Sequence, residues 1–155
     1  MKRFYKGVSV ILLIMYLTLL VYLTLFSHDY MRSSFYRSMN VMPFRTILLY
    51  MNANISNRII MTNLLGNIAA FVPLGFLLPL VWRKTDRFVS IAIASLGVSL
   101  VIEITQYVMA VGAADVDDLI LNVMGGMLGL LLLKVLRFIY KRFKEQSINR
   151  FKDGL

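Results

Sequence analysis

The sequence predicts an all-α integral membrane protein with four transmembrane helices. The apolar residues, 59% of 155, gather in four runs. Each run is near the roughly 20 residues a helix needs to cross hydrocarbon. Mean hydropathy is +0.72, and the basic residues sit in alternate connections between the runs, the pattern of a multi-pass chain. Inside lipid the backbone must satisfy its own donors and acceptors, which selects helices.

The first run, 8–26, carries no charge and follows Lys2, Arg3 and Lys6. It exceeds a signal-peptide core, and with Ala53 as the first alanine no Ala-x-Ala-like site follows, so an uncleaved anchor is expected. The second run, about 62–82, contains Pro73, which removes a ladder hydrogen bond and predicts a kink. The third, about 88–109, is interrupted by Glu103. The fourth, about 119–139, ends among Lys134 and Arg137. One domain is expected over 1–155, closing in a basic tail, 140–155, that interleaves Lys and Arg with Phe143, Ile148 and Phe151. That tail either lies on an anionic inner leaflet or simply flanks the fourth helix.

With the N-terminus inside, thirteen of the seventeen Lys and Arg residues fall on the inner side. Arg32, Arg37, Arg45 and Arg58 fall outside, and the third-to-fourth connection has no base but carries Asp115, Asp117 and Asp118. N-in/C-in is therefore expected. The long outer loop, 27–61, includes Pro43–Met51, too short to span. It reads either as a short interfacial helix with Arg45 among headgroups or as a segment packed on the bundle.

The net charge of +9 is thus explained by orientation, and no nucleic-acid reading motif accompanies it. The absence of cysteine excludes disulfides and thiolate chemistry, and a single histidine, His28, excludes a multi-histidine zinc site. Neither a cofactor nor a resident metal is expected.

The polar residues within the spans are costly in lipid and carry the functional signal. Ser95, Ser99, Glu103 and Gln106 share one face of the third helix by their spacing. Asn63 and Asn67 lie one turn apart in the second, beside Gly66. The fourth opens with Asp115, Asp117 and Asp118, and places Asp118, Asn122, Gly125 and Gly129 on one face, with Gly126 adjacent. In the expected orientation these groups fall at one depth near the outer surface, so a shared cluster of Asn63, Asn67, Glu103, Gln106, Asp115, Asp117, Asp118 and Asn122 is expected. Bland readings stand beside it: the amides as interhelical glue, the aspartates as caps of the fourth helix. Gly66, Gly125, Gly126 and Gly129 read as helix-packing positions.

Four stretches together resemble the VanZ-like membrane proteins of bacteria: 40–47, beginning Asn40-Val41-Met42-Pro43-Phe44-Arg45; 63–75, containing Asn63, Gly66, Asn67, Pro73 and Gly75; 99–106, containing Glu103 and Gln106; and 115–126, containing the three aspartates, Asn122, Gly125 and Gly126. The resemblance implies a multi-pass protein of the bacterial plasma membrane and a theme of glycopeptide (teicoplanin-type) tolerance; it supplies no reaction. Many members carry an arginine close to position 112, where this chain has Gly112-Ala113-Ala114, so a ligand preference does not transfer directly.

Three functions follow as expectations. The first is a non-enzymatic envelope protein that holds a membrane lipid, a lipid-linked wall precursor or a lipoglycopeptide at the outer cluster, as a monomer or oligomer. The second is a membrane enzyme acting on lipid-linked phosphate or glycan, in which the acids hold a hard cation or move a proton. The third is a small transporter, for which the inner half of the bundle offers few polar residues.

Overall fold

The computed structural model describes residues 2–26, 39–45, 48, 57–109 and 114–153. The element order is α1 (Lys2–Phe26), β1 (Met39–Asn40), α2 (Asn57–Val81), a 3₁₀ turn (Arg83–Thr85), α3 (Phe88–Val108), β2 (Ala114–Asp115) and α4 (Val116–Asp153). Four helices are long and apolar enough to cross a membrane: Phe4–Leu25, Asn63–Val81, Phe88–Val108 and Val116–Ile148. The expected interfacial helix at 43–51 falls largely outside the described residues.

Helix α4 is the axis of the bundle. It packs along α2 and α3, while α1 rests on α2. Glycine sets the approach: a Cβ at Gly125 would collide with the Ile68 carbonyl, one at Gly129 with the Val72 carbonyl, and one at Gly75 with the Gly126 carbonyl. The pairs 68/125 and 72/129 advance together, so α2 and α4 run in the same direction. Against α3 the order reverses, with Asn122 meeting Ser99 and Gly126 meeting Ser95. Lipid offers apolar helices no hydrophobic drive to associate, so close backbone packing at small residues holds such a seam. Three of the expected packing glycines therefore lie at interfaces; Gly66 is half-buried in α2.

A buried apolar cluster of Leu13, Leu20, Phe71, Leu74 and Ile102 joins α1, α2 and α3. Helix α2 carries Pro73 and Pro79 within one continuous helix. The Tyr16 hydroxyl donates to the Ala70 carbonyl at 2.8 Å, fastening α1 to the turn preceding Pro73, where the ladder lacks one donor. Large apolar side chains on the outward faces of all four helices are exposed, among them Ile14, Leu65, Ile93, Val101 and Leu131.

Two features add detail to the expected bundle. A two-residue parallel pairing joins β1 to β2, with Met39 opposite Ala114 and Asn40 opposite Asp115, within the expected all-α architecture. Helix α4 also continues to Asp153, through most of the basic segment 140–155. Hydropathy marks where the bilayer ends, whereas a helix is stopped chiefly by glycine or proline, and neither occurs between Tyr140 and Gly154. At the α2–α3 end, the Arg137 guanidinium pairs with Asp86 at 2.6 Å and the Lys134 ammonium lies 4.7 Å from the Phe88 ring centre.

Candidate functional site

The site forms at the end of the bundle where α3 closes and α4 opens. Ser95, Ser99 and Glu103 are buried on one face of α3, as their spacing requires. Asp115 sits immediately before α4, and its Oδ1 accepts the Asp117 amide at 2.9 Å, the N-cap contact that satisfies one orphan donor of a helix start. The Asp115 amide in turn donates to Glu103 Oε2 at 3.0 Å. A carboxylate within a span is tolerable when backbone donors replace water, and the opening of α4 supplies one.

The other acids are gripped from further away. Asp117, fully buried, accepts the backbone amide of Phe44 on Oδ1. Asp118 Oδ1 accepts the Asn67 side-chain amide, linking α2 to α4. Asp115 Oδ1 also accepts the Asn40 side-chain amide at 2.9 Å. Asn40 Oδ1 then receives the Met42 amide at 3.2 Å, which turns the chain toward Phe44.

Phe44 has φ 64°, the left-handed region, unusual for an aromatic residue and worth roughly 1–3 kcal/mol of local strain. The bond from its amide to Asp117 holds that conformation. Asn40 and the Phe44 backbone belong to the site but were absent from the sequence-derived cluster. Their signal was present, since both fall in the 40–47 stretch that carries the family resemblance.

One turn deeper, the Asn122 side-chain amide donates to Ser99 Oγ at 2.8 Å between α3 and α4. Asn122 Oδ1 and Ser95 Oγ are buried there and have no partner among the described residues. Gln106 stands apart: it donates to the Thr24 carbonyl at 2.9 Å and ties the ends of α1 and α3 together. Asn63 is half-buried one turn nearer the start of α2.

The structure thus brings together Glu103, Asp115, Asp117, Asp118 and Asn67, adds Asn40, and places Asn122 beneath them. Asp115 serves as cap and as cross-link at once. Among the described residues no set of three or more His, Cys, Asp or Glu side chains is arranged to hold a metal ion. Gly112, where the resemblance expects an arginine, lies outside the described residues.

Four candidate spans and a polar cluster shared by three of them define a multi-pass membrane protein with one polar end to its bundle. The chain belongs to the VanZ/LLP1 family, whose model matches residues 13–137. It is 34% identical over 143 residues to Protein VanZ of Enterococcus faecium, covering 90% of this chain and 80% of that protein. No solved structure matches it.

Proposed function

We propose that the chain is an envelope protein of the bacterial plasma membrane that binds an envelope molecule at the Glu103–Asp115–Asp117–Asp118 cluster and contributes to glycopeptide tolerance of the teicoplanin type. The molecule is a membrane lipid, a lipid-linked wall precursor or a lipoglycopeptide, each pairing an apolar tail with a polar head. Both termini lie inside, on the distribution of Lys and Arg, so the cluster opens toward the outer leaflet. The basic C-terminal segment lies on the cytoplasmic side.

The observation that carries this reading is the gathering of Glu103, Asp115, Asp117, Asp118, Asn67 and Asn40 at one end of the bundle by direct hydrogen bonds. A buried carboxylate stabilises a bundle less well than an apolar residue of similar size. Retaining several at one level favours a role in recognition.

The test is a deletion strain complemented with wild type, Glu103→Gln or Asn67→Leu, scored for glycopeptide susceptibility and for lipid-linked precursor levels at equal protein abundance. Wild type restores tolerance and both variants lose it. Equal restoration by all three would remove the cluster from function. Turnover of a lipid-linked phosphate by purified protein, abolished on metal removal, would replace binding with catalysis.

A further inference from the structure

The segment 39–45 crosses the mouth of the polar cluster and, with Leu48, has two opposite faces. Its polar contacts point into the bundle: the β1–β2 pairing, Asn40 on Asp115, and the Phe44 amide on Asp117. The Leu48 amide returns to the Phe44 carbonyl at 2.9 Å, closing one helical turn. Its apolar side chains do the reverse. Met39, Val41, Met42, Phe44 and Leu48 are each more than half exposed.

The depth of this segment is fixed by what it is tied to. Paired strands lie about 4.8 Å apart, and β2 leads directly into α4, whose candidate span begins at Val116. The amide of Phe44 bonds Asp117, the second residue of that span, so the Phe44 backbone sits level with its first turn. Exposed apolar side chains at the same end of the helices, Val108 and Met109 at the end of α3 and Leu65 on α2, continue the lipid-facing band beside it. Five large apolar side chains within ten positions make a poor face for water, and Arg45 among them is exposed.

We infer that residues 39–45 and 48 form a membrane-seated strap: Met39, Val41, Met42, Phe44 and Leu48 insert at the headgroup–acyl boundary of the leaflet beside the cluster, and Arg45 meets lipid phosphate there. The occupant of this face is bilayer lipid. An arginine flanked by apolar side chains suits that boundary, since its stem packs among apolar groups while its guanidinium reaches the phosphates. The unusual backbone of Phe44 follows from the double attachment, with its amide turned inward to Asp117 while its ring remains outside. Lipid contact on one face and acid contact on the other make the strap the element through which the bilayer positions Asp115 and Asp117. This inference rests on the four-span reading and is independent of which molecule the cluster binds.

The chain has one tryptophan, Trp82, at the opposite end of the bundle. Trp82→Phe therefore gives a silent background in which Phe44→Trp, or Val41→Trp should the first variant fold poorly, introduces a single indole on the strap. Each variant is reconstituted into phosphatidylcholine–phosphatidylglycerol vesicles with lipids brominated near the headgroup end of the acyl chains. Leu100→Trp in the same background is the lipid-facing control. The expected result is loss of most of the indole emission to bromolipid, comparable to the control, with little quenching by acrylamide in the water. Ready acrylamide quenching without bromolipid quenching would overturn the inference and leave the face to a soluble partner. Resistance to both quenchers would overturn it as well, showing the strap covered by protein. Neither outcome bears on the Glu103→Gln test of binding.

Discussion

Asn40 and Asp115, 75 positions apart, meet twice: they are opposite one another in the β1–β2 pairing, and the Asn40 side-chain amide donates to the Asp115 carboxylate at 2.9 Å. Asp115 also caps α4 and gives its own amide to Glu103. One aspartate therefore couples the strap, the start of α4 and the buried acid of α3.

Asn40→Ala removes the side-chain bond and leaves the cap in place. The expected cost is about 0.5–1.5 kcal/mol, the range for a single hydrogen bond. Asn40→Asp sets a second carboxylate against Asp115 and costs more, because like charges replace a donor–acceptor pair. Thermal unfolding of purified protein in detergent ranks wild type above Asn40→Ala and Asn40→Asp last.

The seam between α2 and α4 admits no Cβ at Gly75, Gly125 or Gly129 without backbone movement. Gly125→Ala is expected to destabilise by roughly 1–3 kcal/mol, as overpacking does. Gly97, with open space around the same added carbon, provides the contrast. Gly97→Ala is neutral or stabilising by up to about 1 kcal/mol through helix propensity. Melting temperatures of the two variants move in opposite directions or, at the least, separate clearly.

Ser99→Ala strands the Asn122 side-chain amide in a buried position where Asn122 Oδ1 already has no partner among the described residues. A loss of about 1–3 kcal/mol follows. Ser99→Ala combined with Asn122→Leu removes both polar ends and recovers most of it. A double-mutant cycle from unfolding in detergent gives a coupling energy of the sign that distinguishes a paired contact from two independent ones.

Orientation is checked by truncated reporter fusions. A fusion ending after Ala114 reports the outer side, and one ending after Thr85 reports the cytoplasm. The reverse pattern would move the cluster to the inner leaflet and overturn the proposed envelope role, whereas the hydrogen bonds within the cluster would stand.

The four spans were legible because span length and hydropathy are set by bilayer thickness. The shared face of Ser95, Ser99 and Glu103 was legible from helical period alone, and the level at which it meets Asp115 and Asn122 followed from alternating helix directions. The β1–β2 pairing was not legible: two residues per strand show no alternation, and nothing local relates Asn40 to Asp115. Gln106 shares the α3 face with Glu103 by spacing, yet it satisfies the Thr24 carbonyl, because a long side chain at a helix end reaches whichever neighbour packs nearest. The role of Phe44 lies in its amide, and side-chain chemistry gives no sign of a backbone donor.

The continuation of α4 has a consequence for how the basic segment meets charge. At about 1.5 Å per residue, a helix leaving the hydrocarbon near 139 and running along its axis to Asp153 carries its last turn roughly 20 Å further out. Electrostatic attraction to an anionic surface decays over about 8 Å at physiological salt. Under the proposed orientation, Lys141, Arg142 and Lys144 lie within reach of that field, while the end of the helix axis projects beyond it. Screening distance then makes the first turns beyond the span the part of the rod that feels the membrane surface.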